Sequence, residues 1–400
     1  MSLLPVESAI KAILRRVPAP TGETVPLAEA AGRVLFAPLH ASHDQPPFHS
    51  SAMDGYAMRA ADVVPDRRLA IIGTSRAGAG FSGKIGPGEA VRIFTGAPVP
   101  EGADTVIMQE EAKAADGFVS FTAPARPGHS IRPRGNDFAT GQQLLAPGMR
   151  LTPMQLAVAA AANAAELVVA KRPTIALLAT GDELVLPGAP LGPDRIVASN
   201  SYGLAPLLSP YAQTVTDYGI APDDRRQLAG MLTAILGEAP DILVTTGGAS
   251  VGDHDIVQEI LLDLGVTLDF WRINMRPGKP LMFGSNGKTL VFGLPGNPVS
   301  AMVTALVFLR PALRRWLGHS EPAPWRLPLA APTPPNTARR HFMRARLLYG
   351  ANGLELLPIS QTDSGHTSSL AHADMLIVQP ENDPGQPAGT LVDALPIDGF

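Results

Sequence analysis

The chain has 400 residues, of which 45% are hydrophobic and 17% charged, with a formal net charge of −4. That length exceeds one core and predicts two to four domains, and the balance excludes a disordered chain. A net charge of this sign also excludes a global basic field for nucleic acid or an acidic membrane, so any anion site must be local.

Cysteine is absent, which excludes disulfides, thiolate zinc sites and a cysteine nucleophile and agrees with a reducing cytoplasm. The 39 glycines and 40 prolines exceed the ordinary combined share of about 12% and predict many tight turns between small domains.

In chain order, "MSLLPVESAIKAILRRV" carries Glu7 and Lys11 within an apolar pattern. Val6, Ile10, Ile13, Leu14 and Val17 fall at helical spacing, which predicts an amphipathic helix and not a signal peptide. From 44 to 138, "LAIIGTS", "EAVRIFTGAPVP", "ADTVIMQEE" and "GFVSFTAP" are short β-branched runs cut by turn residues, and they predict a β-rich module. A helix is expected from Pro153, with Thr152 as its N-cap. The apolar "LAVAAAANAAELVVA" contains Asn163 and Glu166 and is too short to span a bilayer, so a soluble protein is expected.

From 172 the pattern changes again. "TIALLAT", "DILVTTGG" and "TLVFGLPG" are continuous apolar runs ending in glycine turns. They alternate with helical patterns such as "RRQLAGMLTAILG", where Leu228, Leu232, Ile235 and Leu236 share a face, which predicts a parallel α/β sheet. Ligands bind such sheets at the carboxyl ends of the strands. The proline-rich 321–336 reads as a linker or irregular first strand, and "HFMRARLLY", "GLELLPIS", "DMLIVQP" and "GTLVDALP" predict a small all-β tail.

Three strand ends carry candidate chemistry: "TGDELVLPG" with Asp182 and Glu183, "TTGGASVGDHD" with Asp253 and Asp255, and "GLPGNPVSA" with Asn297 and Pro298. The glycines suit backbone N–H groups brought up to phosphate, whereas the acids suit a cation or a helix N-cap. Asp253 or Asp255 could be the N-cap of the helix that follows. Between these loops, "WRINMRPGKP" clusters Arg272, Arg276 and Lys279 in a turn stiffened by proline, suited to oxyanions. In the front half, "SSAMDGYAM" offers Asp54, "FTGAPVPEGADTV" offers Thr95, and "IRPRGNDF" offers Asp137 beside Arg132 and Arg134. In the tail, Arg344 lies on a strand-like segment, and "QTDSGHTSSL" supplies Ser364 and His366. Each segment taken singly also reads as an ordinary turn or cap.

Seven segments in order, "SSAMDGYAM", "FTGAPVPEGADTVIMQEE", "IRPRGNDF", "LATGDELVLPG", "TTGGASVGDHD", "MRPGKPLMFG" and "FGLPGNPVSAM", together resemble the MoeA family of molybdopterin molybdenumtransferases, to which the catalytic domain of gephyrin also belongs. The resemblance implies a multidomain α/β plus β chain. Its parts would be a discontinuous helical linker domain (1–43 and 139–171), a β-rich domain (44–138), an α/β domain like molybdopterin adenylyltransferase (172–320), and a C-terminal β-barrel (321–400). It also implies a cytoplasmic homodimer whose cleft is shared between subunits. The activity would be insertion of molybdenum from molybdate into adenylylated molybdopterin with release of AMP, supported by Mg2+. Transient contacts with molybdopterin-adenylating and molybdoenzyme-maturation proteins would follow.

Carried over by motif, the catalytic set is Asp54, Thr95, Asp137, Glu183, Asp255 and Arg276, with Asp223 or Asp224 as a further acid. Asp255, Glu183 and Asp182 would hold the metal. Gly247, Gly248, Ser250, Arg272, Lys279, Pro295, Gly296, Asn297, Ser300, Arg344 and Ser364 would bind substrate. Arg272 and Arg276 stand where relatives often carry lysine, and "SGHTSSL" departs from the usual glycine-serine-glycine pattern. Two other readings are an adenylyltransferase acting on molybdopterin and a gephyrin-like scaffold.

Overall fold

The structure, a computed structural model, describes residues 3–248, 256–319, 323–350, 353–360 and 363–397. The chain divides into two units, one of residues 24–147 and 151–168, the other of residues 1–23, 148–150 and 169–400.

The first unit is built on a six-stranded sheet in the spatial order Thr105–Met108, Gly55–Met58, Glu89–Ile93, Leu69–Ser75, Phe118–Phe121, Ala112–Ala115. All its pairings are antiparallel except that between Leu69–Ser75 and Glu89–Ile93. Side chains alternate across a strand, and here both faces are covered. Tyr56 and Met58 join Leu69, Ile107 and Phe121 on one face, while Ala57 packs with Val91, Ile93 and Val106 on the other. The helix Pro153–Ala161 starts as its sequence predicts: Thr152 is the N-cap, and its N–H donates to Gln155 Oε1 at 3.2 Å.

The second unit holds a six-stranded sheet in the order Thr214–Ala221, Thr174–Thr180, Ile242–Thr246, Leu290–Leu294, Pro280–Ser285, Thr267–Arg272. The first four strands are parallel, as expected. The last two are antiparallel, which corrects the expectation of an all-parallel sheet. The cause is a hairpin signal: after Ser285 comes Asn286–Gly287, with Gly287 at φ 87° and Asn286 Oδ1 accepting the N–H groups of Lys288 and Thr289. The helices Arg225–Gly237 and Ile256–Asp263 bury Leu228, Leu232, Ile235, Val257 and Ile260 against Ala176, Leu178 and Leu243. The amino-terminal helix, Val6–Arg16, buries Val6, Ala9 and Ile13.

The segment Trp325–Pro328 is a regular strand, so the proline-rich stretch is not merely a linker. With Arg340–Gly350, Gly353–Pro358, Met375–Gln379 and Leu391–Pro396 it encloses Leu329, Met343, Leu356 and Ile377. Among the described residues no helix is long and apolar enough to cross a membrane.

Candidate functional site

The ends of the central parallel strands open into a cleft of about 810 Å³, lined by Thr180, Gly181, Glu183, Asp223, Thr246 to Gly248 and Pro295 to Pro298, among others. Backbone shape sets this wall. Gly247 has φ 87°, and a Cβ there would lie 2.3 Å from the Thr180 carbonyl oxygen. No other residue combines that turn with that approach. A Cβ on Gly296 would meet the Gly247 Cα at an ordinary contact distance of 3.6 Å. The Gly247 N–H is already directed at the Leu294 carbonyl (3.3 Å), which corrects its assignment as a phosphate donor and leaves it a shaping role. Gly248 follows at φ 63°. Ser250, Asp253, His254 and Asp255 lie outside the described residues.

Two loops facing the cleft clasp each other. The Asp182 N–H donates to Asp223 Oδ2 (3.3 Å), and the Asp223 N–H donates to Asp182 Oδ1 (3.1 Å). Asp182 is therefore first a loop clamp. Glu183 is exposed, its carboxylate folded back over Gly181. Of the pair Asp223 and Asp224, the second is the N-cap of Arg225–Gly237, accepting the Gln227 N–H at 2.8 Å, and the first lines the cleft. Among the described residues no three acids or histidines converge as a metal set.

Asn297 is the N-cap residue before Pro298, but its side chain turns elsewhere: Nδ2 donates to Ser364 Oγ at 3.0 Å. The Ser364 carbonyl accepts the Val299 N–H (3.3 Å), so the tail loop closes onto this helix start. Asn200 Nδ2 donates to the Gly296 carbonyl at 2.8 Å and braces the same turn. Ser300, by contrast, is 4% exposed inside the helix and does not line the cleft. Arg344 is also 4% exposed. Its guanidinium bonds Ser369 Oγ and the carbonyls of His366 and Asp363 (3.2 Å for Asp363), and burial lowers its pKa. It holds the loop that presents Ser364, which corrects its placement as a substrate arm.

Arg272, Arg276 and Lys279 do not form one turn. Arg272 ends a strand, Arg276 sits in the short strand Met275–Arg276 paired to Arg340–His341, and Lys279 precedes the next strand. None of the three lines the cleft. The Arg272 Nε is buried without a hydrogen-bond partner among the described residues. Arg276 Nε donates to Asn336 Oδ1 at 3.0 Å.

In the other unit, Asp54 Oδ1 accepts both the N–H and the hydroxyl of Thr95, each at 2.7 Å. These bonds, with help from the Arg92 charge, hold the Asp54 carboxyl below its usual range. Gly55 is dictated by crowding, since a Cβ there would lie 1.9 Å from the Ile107 carbonyl oxygen. Arg92 lies over Tyr56 (5.1 Å) and Phe94 (4.7 Å) and donates to the Gly55 carbonyl at 2.7 Å. Asp137 is exposed, its N–H donating to the Gln45 carbonyl (2.9 Å). The strongly held acid nearby is Asp44, which accepts from Thr140 (2.8 and 2.9 Å) and Arg134 Nε (2.5 Å), with its pKa lowered to about 2. Sequence reading passed over Asp44, Arg92, Asn200 and Asn336.

Three family descriptions fit this chain: "MoeA N-terminal region (domain I and II)" over residues 4–163, "Probable molybdopterin binding domain" over 176–315, and "MoeA C-terminal region (domain IV)" over 326–397. Molybdopterin molybdenumtransferase of Haemophilus influenzae is 36% identical over 328 residues, 82% of this chain and 80% of that protein. Its namesake from Bacillus subtilis is 33% identical over 411 residues, 98% and 94% respectively. The crystal structure of a molybdopterin biosynthesis MoeA protein from Pyrococcus horikosii superposes with a TM-score of 0.85 at 30% identity, covering 100% of both chains. The chain belongs to the MoeA family.

Proposed function

We propose that this protein is a molybdopterin molybdenumtransferase, joining molybdenum from molybdate to the dithiolate of adenylylated molybdopterin and releasing AMP. The observation that carries the reading is that the chain carries all three family regions, whereas an adenylyltransferase would require the 176–315 region alone. Relatives bearing the transferase name and matched over most of their length support it.

In this reading Gly248, Gly296 and Asn297 cradle the phosphates, with Gly247 shaping the turn. The donor set around the cleft is all oxygen, which suits a hard divalent cation over a thiophilic one. Glu183 and Asp182, with Asp255, would hold Mg2+, whose chemistry is to neutralise the phosphoanhydride. Arg272, Arg276 and Lys279, although outside the lining of the cleft, are the proposed ligands of molybdate or the pterin phosphate, and Arg344 holds the loop that presents Ser364 beside Asn297. Asp54, anchored by Thr95, stays ionised and with Asp137 serves the molybdate side from a second copy in a homodimer. The four-part division of the chain belongs to this proposal, and the bridge between Leu329 and Leu356 supports a closed barrel in the tail.

Incubation with adenylylated molybdopterin, molybdate and Mg2+ should release AMP and yield the molybdenum-loaded pterin. Efficient adenylylation of molybdopterin from ATP without molybdenum insertion would overturn the assignment. Mixing the Asp54→Asn and Glu183→Gln variants tests the shared cleft, because only a homodimer built across subunits regains activity in the mixture.

A further inference from the structure

Asn336 lies in the proline-rich segment that sequence reading left without a role, and it is 9% exposed. Its side chain is fully engaged. Nδ2 donates to the carbonyls of Arg339 (2.8 Å), Pro380 (2.6 Å) and Gln379 (3.4 Å). Oδ1 accepts the Thr337 N–H (2.8 Å) and, from a different strand, Arg276 Nε (3.0 Å). An amide whose donors are locked to three carbonyls cannot rotate, so its oxygen has one direction left.

A guanidinium has five N–H donors in a rigid plane, and holding Nε to one acceptor restricts how that plane can swing. What remains is the end-on pair of Nη groups, the fork that meets a tetrahedral oxyanion through two oxygens. We propose that Asn336 is a positioning residue that sets Arg276 as an end-on fork for the oxyanion substrate, a role open to arginine and closed to lysine at this position. The inference rests on Arg276 being an oxyanion ligand, as proposed above.

The surroundings agree. Burial and the charge of Arg339 both act against the positive charge of Arg276, yet a guanidinium keeps its proton, so an incoming anion relieves the site. His341, paired to Arg276 through the strand register, is buried and bonded to Gln379 Oε1 (3.3 Å). Its pKa is lowered to about 4, so it adds no competing charge at neutral pH.

The test is a double-mutant cycle on AMP release, with KM measured separately for molybdate and for adenylylated molybdopterin. Asn336→Ala should raise KM for one of the two oxyanion substrates about tenfold, the scale of one misdirected charge-assisted hydrogen bond, with kcat nearly unchanged. The substrate affected tells molybdate from the pterin phosphate. In an Arg276→Lys background the same change should leave both KM values where Arg276→Lys put them, because lysine has no Nε–H plane to orient. Asn336→Ser, too short to reach Nε, replaces Asn336→Ala where the latter does not fold. Gln379→Leu removes side-chain bonds to Pro334, Asp383 and His341 while leaving the contact of Asn336 with Arg276 in place, and should lower Tm at constant KM. Additive effects of Asn336→Ala and Arg276→Lys on KM overturn the positioning role. Unchanged KM for both substrates in Arg276→Gln overturns instead the assignment of Arg276 to the substrate.

Discussion

Two sets of groups, one in each unit, treat charge in opposite ways. In the unit of residues 24–147 and 151–168, carboxylates are kept ionised by donors at the surface: Thr140 and Arg134 around Asp44, Thr95 around Asp54. At three groups of the unit that carries the cleft, dehydration dominates instead, holding His341 neutral and working against the charges of Arg276 and Arg344. Hydrogen bonding to a charged form favours it, whereas burial disfavours it, so the same backbone sets charge by two separate means. One consequence is that Asp44 and Asp54 are chemically ready at any pH above the usual carboxylate range. The second unit's groups are tuned by packing and fail when packing fails.

Substitutions can break this contrast, and the largest effect falls on the cleft wall. Gly247→Ala combines a left-handed backbone with a Cβ 2.3 Å from a carbonyl oxygen. It should cost at least about 3 kcal/mol, seen as a drop in Tm, and abolish activity. A folded, active variant would show that this turn is not shape-limited.

Next comes Asp54→Asn, which keeps the shape and an acceptor for Thr95 but removes the charge. Its kcat should fall about a hundredfold with Tm nearly constant. Since the wild-type carboxyl is held below its usual range, the wild-type activity should show no Asp54 titration between about pH 4 and 7. A Tm loss matching the kcat loss would place Asp54 among structural residues.

A third effect separates burial from donor control. His341 has a folded pKa of about 4 against an ordinary 6.5. The unfolded chain therefore binds the extra proton first, and stability contributed by the neutral ring is present above pH 6.5 and lost as pH falls toward 4. Between pH 7 and 5 wild type should lose about 2 kcal/mol more than His341→Gln in denaturant unfolding. Parallel pH curves for the two proteins would remove this residue from the account. The smallest expected change is Thr152→Ala, which removes an N-cap hydroxyl and should lower stability by about 1 kcal/mol without altering turnover.

Much of the framework was legible because it rests on local rules. The helix starting at Pro153, the face made by Leu228, Leu232 and Ile235, and the parallel strands ending in glycine follow directly from spacing and caps. The antiparallel edge was missed although Asn286–Gly287 announced it, since apolar continuity alone does not give strand direction. Within the site, ordered motifs located the cleft loops but not the duties of the side chains. Asp224 as a cap, Arg344 as a loop anchor and Asp182 as a clasp depend on partners distant in sequence. Asn336 could not be found at all before its contact with Arg276, sixty residues away, was seen.

The bond from Asn297 to Ser364, with the backbone link from Val299 to the same serine, joins two segments that look separable in sequence. For anyone recombining modules of such proteins, the tail is not a detachable appendage but half of a joint. A chimaera that takes its α/β segment from one parent and its tail from another inherits a mismatched joint at the mouth of the cleft. Exchanging both segments together is the cut that respects it.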